Sequence, residues 1–120
     1  MARIKHYETM FIVKTTLTEE EIKAQIKLVQ ETIEKNGGEV AGTNDMGSRK
    51  LAYEIKKNKR GYYTIYYFTA PTEAILEIER NYRINENILR FIFIKSETKK
   101  DIEHWTKQVE SLQKNKKTAE

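Results

Sequence analysis

Residues 6–14 alternate between two kinds of position: Thr9, Phe11 and Val13 fall on one side of an extended chain, and His6, Glu8, Met10 and Ile12 on the other. Strand side chains point alternately to opposite faces, so this run predicts a strand with one buried face and one that reaches solvent or a partner. The period then changes. Ile22, Ile26, Val29 and Ile33 are spaced 4, 3 and 4, which draws one apolar stripe along a helix. Thr18 marks its start as N-cap, with Glu21 as capping-box partner and Leu17 and Ile22 placed as a hydrophobic staple. Asn36, Gly37 and Gly38 mark its end, because glycine takes the left-handed conformation there without a steric penalty.

Residues 39–56 and 60–69 predict two strands joined by a basic turn of Lys56, Lys57, Asn58 and Lys59, with Gly42 and Gly47 signalling a bulge or bend in the first. The second is nearly all aromatic and β-branched, which predicts a central position in its sheet. Pro71, Thr72 and Glu73 then punctuate the chain, with Thr72 expected as N-cap of a short helix whose buried stripe is Ile75, Ile78 and Tyr82. Residues 85–95 return to strand, Leu89, Phe91 and Phe93 facing one way and Arg90, Ile92 and Ile94 the other. The order β-α-β-β-α-β predicts an α+β fold of the ferredoxin-like, split βαβ kind: a four-stranded antiparallel sheet with two helices on one face.

The opposite sheet face is expected to be uncovered, with Glu8 and Arg90 on it and an apolar patch of Met10, Ile12, Ile92 and Ile94 that calls for a partner. Beyond it, Thr98 and Asp101 form a capping pair, and Ile102, Trp105, Val109 and Leu112 run at helical spacing. The chain thus divides into a ferredoxin-like domain over residues 1–96 and a charged C-terminal extension over residues 97–120. That extension reads either as an added helix or as a frayed tail.

Composition narrows the chemistry. In 120 residues, Ile, Leu, Val and Phe make up about 23%, enough for a single core. There is no apolar run of the ~18 residues a membrane span needs, and the N-terminal residues lack a signal-peptide pattern, so a cytoplasmic protein is expected. Cysteine is absent, which removes disulfides, thiolate nucleophiles and Cys-based metal sites. His6 and His104 are the only histidines, and no HExxH, GxSxG, P-loop or GxGxxG pattern occurs, so neither enzyme activity, metal nor cofactor is expected. A ferredoxin-like acyl-phosphate hydrolase would want a glycine-rich anion loop after the first strand, and residues 14–36 contain no glycine.

The net charge of +4 is unevenly spread: residues 49–60 hold six basic side chains against Glu54 alone, which suggests a polyanionic partner. Arg60-Gly61-Tyr62, followed by Ile65 and Tyr67, partly matches the aromatic strand of RNA-recognition modules. One reading is therefore a stand-alone module that stacks single-stranded RNA on Tyr63 and Tyr67.

A further set of segments carries a resemblance. His6-Tyr7-Glu8, the stretch Met46-Gly47-Ser48-Arg49-Lys50-Leu51-Ala52-Tyr53-Glu54-Ile55-Lys56, Gly61-Tyr62-Tyr63, and Arg83-Ile84-Asn85-Glu86-Asn87-Ile88-Leu89-Arg90 follow one another in the order found in the bacterial small-subunit ribosomal protein S6 family, which the chain resembles over about residues 4–96. The resemblance implies the same fold and a structural role without catalysis: pairing with ribosomal protein S18 and binding with it to the central domain of small-subunit ribosomal RNA, aiding platform assembly for translation. It implies RNA contacts at Lys5, His6 and Tyr7 on the first strand and Arg90 and Lys95 on the last. Arg49 and Lys50 match a basic pair that could meet RNA or the partner protein. No small-molecule substrate and no membrane are implied. Two departures stand out: His6 occupies a position where some relatives have arginine, and Leu89 lacks a charge that some carry beside the equivalent of Arg90.

Overall fold

The computed structural model describes residues 4–118, with side chains as far as Leu112. Its elements follow in the order β1 (Ile4–Lys14), α1 (Glu19–Lys35), β2 (Glu39–Ile55), β3 (Asn58–Pro71), α2 (Ala74–Ile84), β4 (Ile88–Ser96) and α3 (Lys99–Thr118). The four strands form one antiparallel sheet in the order β2-β3-β1-β4, the split βαβ arrangement.

Local chemistry fixes α1 at both ends. Glu21 N–H donates to Thr18 Oγ1 and Thr18 N–H to Glu21 Oε1, each at 3.2 Å, closing a reciprocal capping box of the kind worth about 1 kcal/mol. At the other end Gly37 adopts φ +86, and the amides of Gly37 and Gly38 donate to Glu34 O and Ile33 O, the paired bonds of a Schellman stop. α2 starts one residue later than its sequence suggests. Strand pairing runs through Pro71, opposite Ile4, so the turn needs Thr72, and Glu73 takes the N-cap position without a side-chain cap bond.

Ile22, Val29 and Ile33 of α1 and Ala74, Ile78 and Tyr82 of α2 bury against Tyr7, Phe11, Val13, Tyr66 and Phe68 on one sheet face. Each large apolar side chain there contributes about 1.5–3 kcal/mol by leaving water. Three hydroxyls inside are satisfied. Thr9 Oγ1 lies 3.0 Å from the Tyr82 hydroxyl and donates to Ile92 O, and the Tyr66 hydroxyl donates to Ile26 O at 2.8 Å.

The other sheet face differs from expectation, being covered at both ends. Trp105 and Val109 of α3 pack on Tyr67, with Ala41, Ile65 and Leu112 around them, and Trp105 Nε1 donates to Tyr7 O at 2.8 Å. Asp101 N–H donates to Thr98 Oγ1 at the start of this helix. At the far end Leu51, Ile55 and Tyr63 close over Ile12 and Leu89. Gly61 permits that closure: a Cβ there would lie 2.2 Å from Ile12 Cγ2. Leu89 therefore does not share the face of Phe91 and Phe93. The β1/β4 register shifts between Ile12 and Val13, and this bulge turns Leu89 and Arg90 both toward Ile12. Between the covered ends Ile92 and Ile94 remain 44% and 48% exposed.

Candidate nucleic-acid interface

β2 is interrupted by register shifts between Val40 and Gly42, Asp45 and Gly47, and Lys50 and Ile55. Bulges increase local twist, and here the end of the β2/β3 hairpin crosses the open face instead of continuing flat at the sheet edge. It reaches the strand on the opposite edge: the Arg90 guanidinium carbon of β4 sits 5.1 Å above the Tyr53 ring of β2. A cation over an aromatic face at this distance is attracted by about 0.5–1 kcal/mol where exposed, and the contact holds the guanidinium in place with its N–H edges free to bond. The hairpin closes in two residues, not four. Ile55 pairs with Asn58, and Lys56 and Lys57 between them have φ +48 and +67, the backbone of a type I′ turn.

The expected contact residues do not form one cluster. Arg90 pairs with Ile12 and Lys95 with Tyr7, five residues apart along β1, or about 17 Å at the usual strand rise. Arg49 and Lys50 lie on β2 opposite Gly61 and Arg60, and both are exposed; Arg60 Nε donates to Ser48 Oγ across the hairpin. Lys5 is partly exposed opposite Ala70, and the exposed Lys95 holds its ammonium 3.0 Å from Glu97.

His6 and Tyr7 are less open than a contact site at the strand's start implies. The His6 ring meets Trp105 edge to face at 4.7 Å, so α3 shields it. Tyr7 is 4% exposed and stacked on Phe68, which leaves its ring unable to stack on a base; only its edge reaches a groove shared with Thr72, Phe93 and Lys95. Burial pushes the Tyr7 phenol above its ordinary value, with the Lys95 charge opposing and Glu97 and Glu73 adding to the rise. The reading of Tyr63 and Tyr67 as an open stacking platform is corrected by the same packing. Tyr67 is 5% exposed beneath Trp105, and Tyr63 packs against Ile12, Leu51 and Leu89.

Sequence reasoning gave no role to Tyr53 or Arg83. Their places beside Arg90 arise from contacts between non-neighbouring strands and between sheet and helix, for which residue spacing holds no signal. Among the described residues no three His, Asp or Glu side chains are grouped to hold a metal, and no helix is long and apolar enough to cross a membrane.

Fold and surface together define a class: a small α+β domain of the split βαβ kind with basic groups on β1, β2 and β4. The family model for ribosomal protein S6 matches residues 6–95, and this chain belongs to that family of structural proteins of the small ribosomal subunit, which are not enzymes. It is 55% identical over 111 residues to the small ribosomal subunit protein bS6 of Nitratiruptor sp., covering 92% of this chain and 87% of that one. It is 63% identical over 102 residues to the bS6 of Helicobacter hepaticus, covering 85% and 74%. The crystal structure of 30S ribosomal protein S6 from Thermotoga maritima superposes with a TM-score of 0.77 at 32% identity, covering 90% of this chain and 99% of that one.

Proposed function

We propose that this protein binds the central domain of small-subunit ribosomal RNA jointly with ribosomal protein S18, as a cytoplasmic assembly component of the subunit platform. The observation that carries the reading is the placement of Arg90. Its charge is exposed, oriented by Tyr53, and lies on the same strand as the uncovered Ile92 and Ile94. A cation for phosphate thus sits beside an apolar surface for a protein. Lys5, Lys95, Arg49 and Lys50 supply further contacts from the two ends of the sheet, while His6, shielded by Trp105, and the buried Tyr7 add at most an exposed edge each.

The modest net charge of +4 explains the need for a partner, because phosphate neutralisation supplies most of the affinity of RNA-binding surfaces. The test is a titration of a central-domain junction fragment with the full chain, with and without S18, at several salt concentrations. Tight, salt-sensitive binding is expected only with S18 present. Arg90→Ala should weaken that complex and reduce the salt slope by about one counterion. Equal binding without S18, or an unchanged slope for the variant, would count against the reading.

A further inference from the structure

Three cations from three separate elements converge at the start of β4. Lys56 of the hairpin turn, Arg83 of the last turn of α2 and Arg90 of β4 line one open groove of about 270 Å³ whose walls include Leu89 and Phe91. None of the residues lining it is acidic. Glu79, outside the lining, pairs with Arg83 one helical turn away and orients its guanidinium.

The convergence is held by packing. Leu51 and Ile55 pack with Ile12 and Leu89, which carries the hairpin tip across the sheet to β4, and Tyr53 lies against the Arg90 guanidinium on the way. The tip is also built at a cost. Lys56 and Lys57 both hold left-handed backbone, where residues with a Cβ lose roughly 1–2 kcal/mol each and where Asn-Gly is the relaxed choice for a two-residue turn. A charged side chain stands where the geometry favours glycine, and strain of this sort concentrates where a side chain is needed for function.

We propose that this groove is a phosphodiester-binding cleft in which Lys56, Arg83 and Arg90 each hold a backbone phosphate of one RNA strand. It rests on the RNA-binding reading above and adds Lys56 and Arg83 as contacts, with Tyr53 as a positioning residue for Arg90. Arg83 and Arg90 offer planar forks that match phosphate oxygens, and Lys56 offers a compact charge on a flexible stem. The groove is open along its length and its cations come from different sides, an arrangement suited to a strand passing through.

The test uses the full chain with S18 and the central-domain RNA fragment, comparing Lys56→Gln and Arg83→Gln with Lys27→Gln on α1. All three side chains are exposed, and unchanged melting temperatures would establish that the variants fold. Each groove variant should lose roughly three- to tenfold in affinity and lower the salt slope by about one counterion, while Lys27→Gln leaves both as in the parent. Parent-like affinity and slope in both groove variants, with the parent complex still tight, would overturn the cleft and leave the ribosomal reading standing. Absence of binding by the parent complex would overturn both. An independent arm titrates pyrophosphate into the free protein by NMR. Early shifts at Lys56, Arg83 and Arg90 support the cleft; equal shifts at all lysines and arginines overturn it.

Discussion

Glu8 is a half-buried carboxylate on β1, under the edge of α3 and facing His104. Burial raises its pKa from the ordinary 4.5, and the His104 charge only partly offsets the rise. A raised carboxyl holds its proton more tightly in the folded state than in the unfolded one. Stability therefore declines as pH climbs through a window that opens near 4.5 and extends above it, because the folded state must then hold a desolvated charge. Glu8→Gln keeps the shape and removes the titration. The variant should be more stable than the parent at neutral pH and show a flatter decline over that window, as measured by denaturant unfolding at a series of pH values. A parallel decline in both proteins would mean that Glu8 is not its source. The alternation along β1 was enough to place this side chain on the face away from α1 and α2. That α3 would come to lie over it was not legible, because nothing in residues 6–14 refers to a helix some 90 residues onward.

Among the elements, α1 and α3 make an instructive pair. α1 carries its own start and stop signals, and its structure agrees with them residue by residue at Thr18, Glu21 and Gly37. α3 has a capping threonine and an apolar stripe but a strongly charged remainder, and isolated helices of its length are marginal in water. What stabilises it is the sheet: Trp105 covers Tyr67, touches His6 and donates to the Tyr7 carbonyl. Trp105→Ala should therefore release α3 while the four strands and two inner helices remain. The expected result is fast hydrogen exchange in α3 alone, with a loss of helical circular dichroism and sheet amides still protected. A loss of protection throughout would show instead that α3 is integral to the global core. The same logic explains α2. Its stripe at Ile78 and Tyr82 is legible from spacing, yet its first residue depends on how far β3 pairs with β1, which is a property of two strands and not of one segment.

For the whole molecule, the decisive feature is that the sheet has two unlike faces. One is sealed by α1 and α2, and the other is covered at its ends and open in the middle, where Ile92 and Ile94 stay about half exposed on the edge strand β4. Apolar side chains left open beside a cation suit a protein partner at the margin of an RNA surface. Ile94→Ser should lower the stability of the free chain by only about 1 kcal/mol, since the side chain is already half in water. It should weaken the proposed association with S18 severalfold, as read by calorimetry on the two proteins without RNA. A parent-like affinity would place the partner elsewhere. Edge and centre were legible in outline: the aromatic run of β3 announced a central strand, and the order of elements announced the sheet.

By itself the sequence determined the succession of strands and helices, the caps of α1, the inward residues Phe11, Val13, Ile33 and Tyr82, and, through the ordered motifs it shares with relatives, the family. These depend on neighbours within a few positions along the chain, where spacing and turn chemistry act directly. Only the tertiary structure decided that α3 lies on the open face, that Tyr7 and Tyr67 are buried, and that a bulge at Ile12 turns Leu89 away from Phe91. It alone brought Tyr53, Lys56 and Arg83 to Arg90. Each of those outcomes depends on which distant segments meet, and that is settled by the summed burial of apolar surface and the twist of the sheet, quantities that belong to the packed chain as a whole.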